Sequence, residues 1–161
     1  MTTKPKIAVV GLGYVGLVTS ACLAEIGHTL YCVDNDPGKI DQLTRGQIPI
    51  YEPGLDDLVA RNVKSGRITF FNNLEAAIND VDVIFLAVGT PPKADWSADL
   101  SSIVAVSKQI GQLISKPTLV VTKSTVPVGT SDLVRRTIQD HLPTPVAFDV
   151  ASNPEFLREG N

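Results

Sequence analysis

The chain has 161 residues, 43% of them apolar and 19% charged, with a formal net charge of −3. That length suits one domain with a substantial core, and the apolar fraction is too high and the charge too small for a disordered chain. Lys plus Arg number 14 against 17 acidic residues, so no basic excess points to nucleic acid or an anionic membrane. The longest apolar runs fall well short of the ~20 residues that span a bilayer. Met1–Lys6 carries no signal-peptide pattern, and a soluble cytoplasmic domain is the expectation. Cys22 and Cys32 have neither C-x-x-C spacing nor a His at metal-ligand spacing, which argues against a disulfide framework and a zinc site.

Short β-branched runs alternate with stretches of helical period. Ile7–Val10 reads as a strand covered on both faces. Val15–Ile26 follows as a helix stopped by Gly27, with Val15, Val18, Ala21, Cys22 and Ile26 assigned to its apolar face. Leu30–Val33 is a second strand, and Asp36 with Pro37 opens a helix that runs to about Thr44. Leu55–Lys64 reads as a helix, Ile68–Phe71 as a strand, Leu74–Ile78 as a short helix and Val81–Val88 as the strongest buried strand. After a loop at 89–99, Ser101–Ile114 is helical, Thr118–Thr122 a strand, Gly129–His141 a helix and Ala147–Ala151 a last strand. Such alternation predicts an α/β fold, a doubly wound and mostly parallel Rossmann-type sheet with helices on both faces. Ligands of such sheets sit beyond the carboxyl ends of the strands. That prior selects residues 11–16, 34–39, 89–91, 124–129 and 152–159.

Gly11-Leu12-Gly13-Tyr14-Val15-Gly16 follows a strand and opens a helix. In a G-x-G-x-x-G turn the first glycine permits the tight bend, the second lets backbone approach a pyrophosphate, and the third lets helix and strand pack closely. Phosphate charge then meets the free N–H groups of the helix N-terminus. Asp34 ends the second strand about 20 residues further on, where a carboxylate accepts from ribose hydroxyls and repels a 2′-phosphate. With Asp36 adding negative charge and no Arg before Arg45, NAD is favoured over NADP. The plainer alternative makes Asp34 and Asp36 helix caps. Lys39 could reach a ribose or phosphate, or be an ordinary surface lysine.

Five motifs occur in order: Gly11–Gly16, Tyr51-Glu52-Pro53-Gly54-Leu55, Val88-Gly89-Thr90-Pro91, Lys123-Ser124-Thr125-Val126-Pro127-Val128-Gly129-Thr130 and Asn153-Pro154-Glu155-Phe156-Leu157-Arg158-Glu159-Gly160. Together they resemble the N-terminal NAD-binding domain of the UDP-glucose/GDP-mannose dehydrogenase family over nearly the whole chain. The resemblance implies a two-step, four-electron oxidation of a nucleotide sugar, UDP-glucose foremost, by two NAD+. It implies cofactor contacts at Gly11, Gly13, Tyr14, Val15, Gly16, Asp34, Lys39, Thr90, Thr125 and Glu159. It also implies catalytic roles for Thr125, which would hold a water, and for Glu155, in the hydrolytic half. Glu155, Phe156, Leu157, Arg158 and Glu159 would touch the sugar nucleotide. The family's cysteine nucleophile, its connecting dimer helix and its uracil-binding domain have no counterpart here. The expectation is a fragment of a protein that forms a homodimer or larger assembly.

The residues themselves leave more open. Pro91 and Pro127 bias Thr90 and Thr125 to extended backbone, so either threonine could serve a turn or a cap instead. Glu155 and Glu159, four apart, share a face only if their stretch is helical. His28 and His141 read as turn and helix-end residues without a carboxylate partner, and Trp96 as a residue that packs its own loop. Cys22 and Cys32 read as small core residues. Another NAD-dependent hydroxyacid dehydrogenase domain, a dinucleotide sensor without chemistry, and a methyltransferase on a similar sheet are the alternatives.

Overall fold

The computed structural model describes residues 4–155. Its strands are β1 (Lys6–Val10), β2 (Thr29–Val33), β3 (Ile68–Phe71), β4 (Val83–Leu86), β5 (Thr118–Thr122) and β6 (Phe148–Ser152). Its helices are α1 (Tyr14–Glu25), α2 (Pro37–Thr44), α3 (Leu55–Lys64), α4 (Glu75–Ile78), α5 (Ser101–Leu113) and α6 (Thr130–Gln139). The strands form one sheet in the order β3-β2-β1-β4-β5-β6, and every pairing is parallel. The chain leaves β1 toward β2 and β3, then returns to the other side of β1 for β4, β5 and β6. The order therefore reverses between β1 and β4, and the turns that leave these two strands diverge there.

Alternation of side chains along a strand sends neighbours to opposite faces. Ile7 and Val9 of β1 join Leu17, Ala21 and Ala24 of α1 and Leu55 and Val59 of α3 in one core. Ala8 and Val10 face the other way, onto the core that holds Ile103 and Ile110 of α5 and Val134 and Ile138 of α6. β1 is thus covered on both faces, as its unbroken apolar run requires.

Two expectations need correction. The buried face of α1 carries Gly16, Leu17, Ser20, Ala21 and Ala24, whereas Cys22 is exposed and Ile26 is 61% exposed. The helix is apolar around most of its circumference, so periodicity does not choose among its faces. Trp96 does not pack its loop either, being 87% exposed with φ +66°. That loop is held by its backbone and by Asp95, whose carboxylate accepts from the Ser97 N–H and hydroxyl. The Lys93 N–H reaches the Ser97 carbonyl and the Asp99 N–H reaches the Pro91 carbonyl, so the indole has no structural task there.

Candidate functional site

A cleft of about 710 Å³ opens at the carboxyl ends of β1, β2, β4 and β5, across the point where strand order reverses. Gly11, Gly13, Tyr14 and Val15 line one wall, with Asp34 and Lys39 beside them; Thr90, Thr125 and Glu155 line the other end. Gly16 lies just behind, buried between helix and turn. Phe156, Leu157, Arg158 and Glu159 lie outside the described residues.

The glycines differ in what they do. Gly11 has φ +96°, a left-handed backbone that L side chains rarely adopt, and a Cβ there would meet the Ala87 carbonyl oxygen at 2.6 Å. A Cβ at Gly16 would fall 1.8 Å from the Gly11 carbonyl oxygen. Gly13 is another matter: its φ of −73° suits any residue, and a Cβ there would meet no atom within 4 Å. Gly13 is also the N-cap of α1, with no side chain capping the helix. Its glycine leaves a shallow cradle in front of N–H groups that lack intrahelical acceptors, and this suits an anion such as pyrophosphate.

Asp34 is 7% exposed and holds the turn together. Its Oδ2 accepts from the Leu12 N–H at 2.8 Å and from Lys39 Nζ at 2.8 Å; its Oδ1 accepts from the Asp36 N–H at 3.0 Å. Burial pushes this carboxyl up, but the Lys39 ammonium and the two backbone N–H groups outweigh it and hold the group below the usual carboxylate range. Asp36 caps α2, accepting from Gly38 and Lys39 N–H groups, with Pro37 in the first turn. Tyr14 donates its hydroxyl to Glu52 at 2.9 Å, which ties the 51–54 loop to the glycine turn.

At the other end, the β4 and β5 turns are cross-linked. The Thr90 hydroxyl donates to the Thr125 carbonyl at 2.8 Å, and the Ser124 hydroxyl donates to the Val88 carbonyl at 2.7 Å. Thr90 therefore spends its proton on the scaffold, which gives the turn-stabilising alternative for this residue real weight. Thr125 is exposed on the same turn.

Several lining residues lie outside every motif of the sequence: Asn72, Asn73 and Leu74 after β3, and Ser102, Ala105, Val106 and Gln109 on α5. The carboxyl end of β3 was as open to the strand-end rule as the others. On α5, exposed Ser102, Ala105 and Gln109 look like ordinary surface in the sequence, and half-buried Val106 like a core residue.

The family model for the UDP-glucose/GDP-mannose dehydrogenase family, NAD binding domain, matches residues 5–161. The chain belongs to this family. As its NAD-binding domain, it is 54% identical over 156 residues to a UDP-glucose 6-dehydrogenase of Rhizobium meliloti, covering 96% of this chain and 36% of that protein. It is similar to the structure of a UDP-glucose dehydrogenase from Pyrobaculum islandicum, with TM-score 0.93 and 43% identity over 98% of this chain and 37% of that one. It is also similar to the structure of a GDP-mannose dehydrogenase from Pseudomonas aeruginosa, with TM-score 0.91 and 41% identity over 96% of this chain and 37% of that one. The chain thus spans little more than a third of the length of these relatives. The cofactor of the family's domain is NAD, and the uncapped α1 N-terminus with its empty space before Gly13 fits a dinucleotide pyrophosphate.

Proposed function

We propose that this chain is the cofactor-binding part of an enzyme that oxidises the primary alcohol of UDP-glucose to a carboxylate. The single observation that carries the reading is the cleft at the strand-order reversal, where unobstructed Gly13 and buried Asp34 lie side by side. UDP-glucose is preferred among nucleotide sugars because identity is higher to the compared relatives named for it than to the one named for GDP-mannose.

The chemistry NAD+ supplies when bound is two-electron hydride acceptance. In the overall balance UDP-glucose, two NAD+ and one water give UDP-glucuronate, two NADH and three protons. Within this chain, Gly11, Gly13, Tyr14, Val15 and Gly16 shape the pyrophosphate cradle, and Asp34 with Lys39 takes the adenosine ribose. Thr90 sets the turn at the reactive end. Thr125 offers a hydroxyl that donates and accepts, and Glu155 a carboxylate that accepts. Such a pair suits the water that the acid-forming step consumes, with Glu155 taking its proton. Among the described residues no helix is long and apolar enough to cross a membrane, which is compatible with a reaction run on cytoplasmic NAD+.

The test is NADH formation by the purified polypeptide that carries this segment, offered UDP-glucose, GDP-mannose or UDP-N-acetylglucosamine. Two NADH per UDP-glucose is the expected stoichiometry. A response to GDP-mannose alone would reassign the sugar, and binding of S-adenosylmethionine in place of NAD+ would overturn the reading.

A further inference from the structure

Resting on the NAD reading, we infer that Lys39 sets how strictly this cleft refuses a 2′-phosphorylated dinucleotide, because it neutralises the carboxylate that does the refusing. The Asp34 carboxylate has about four acceptor positions. Three are filled, by the Leu12 N–H, the Asp36 N–H and Lys39 Nζ, and the last two donors named are at 3.0 Å and 2.8 Å. The two backbone donors belong to the folded turn and cannot leave without unmaking it. Lys39 can, since it reaches Asp34 from the first turn of α2 on a flexible stem and is itself 28% exposed.

A ribose diol entering this corner takes the one remaining acceptor position or displaces the ammonium from Oδ2. In both cases a cation stays within a side chain's reach of the ribose 2′ position. Asp34 alone would repel a 2′-phosphate; Asp34 with Lys39 presents a pair of zero net charge, and the ammonium can turn from carboxylate to phosphate. Lys39 lines the same cleft as Asp34 and Asn35, so this exchange needs only a rotamer change. Discrimination between the two dinucleotides is therefore a property of the pair and not of the aspartate.

Calorimetric titration of NAD+ and NADP+ into the native chain, Lys39→Met, Asp34→Asn and the double variant tests this. Removing Lys39 is expected to raise the ratio of the NADP+ to the NAD+ dissociation constant about tenfold, the scale of one charge-assisted contact. Asp34→Asn should tighten NADP+, and adding Lys39→Met should erase that gain. Both effects should shrink as salt is raised from low to physiological strength. A ratio that moves less than threefold in Lys39→Met overturns the inference while leaving the NAD reading in place. That single variant leaves Asp34 and its backbone hydrogen bonds in place, so the result stands even if Asp34→Asn fails to fold. Failure of the native chain to bind either dinucleotide overturns both.

Discussion

The Cβ that alanine would carry at position 16 falls 1.8 Å from the carbonyl oxygen of Gly11. The first and third glycines of the motif are therefore in mutual contact, backbone on backbone, and neither can give way as a flexible side chain would. Gly16→Ala should destabilise the fold by ~1–3 kcal/mol or prevent it from forming, as overpacking does. Urea unfolding reads this directly, and a midpoint within error of the native chain would show that α1 can shift away from the turn at little cost.

The two cysteines should differ sharply in reactivity. Cys22 is exposed on α1, whereas Cys32 is buried within β2 and burial pushes its thiol up to about 12, with Ser20 lowering it by less. Only thiolates attack alkylating reagents. Mass spectrometry after iodoacetamide treatment should find one adduct on the native chain, at Cys22, and two after denaturation. An adduct at Cys32 in the folded protein would mean that β2 opens readily.

Acid should weaken the fold partly through Asp34. Its carboxyl is held below the ordinary range when folded, so the unfolded chain takes up the proton first as pH falls. The stabilisation is full above the unfolded value of about 4 and is lost as pH drops through the folded one. Lys39 is the largest of the groups lowering it. In Lys39→Met the loss of stability between neutral pH and pH about 3 should be smaller than in the native chain. An unchanged pH dependence in urea melts would remove Lys39 from that account.

Much of this was legible in residue order. The strand run Ile7–Val10, the capped start at Asp36-Pro37 and the helix Leu55–Lys64 follow from burial period and end signals that act over a few residues, and β3 and β5 lie where the pattern put them. The glycine turn and Asp34 also announce themselves, since backbone constraints and a strand-end carboxylate leave local marks. What escaped is set by tertiary contact. The orientation of α1 depends on α3 and the sheet, which left Cys22 and Ile26 outside the core. The pairing of Lys39 with Asp34, and the hydrogen bond from Thr90 to the Thr125 carbonyl across 35 residues, need the folded geometry before either partner can be named.

The central claim, that a dinucleotide pyrophosphate lies against the start of α1, rests most directly on Gly13. Its backbone angles suit any residue and a Cβ would meet no protein atom within 4 Å, so Gly13→Ala should fold with a loss under ~1 kcal/mol. The methyl group would nevertheless stand where the phosphate must approach. Titrating NAD+ into the native chain and into Gly13→Ala by calorimetry, with thermal unfolding of both, decides the matter. Binding by the native chain, with none by an equally folded variant, is the predicted result; equal affinity in the two, or no binding by the native chain, would contradict it.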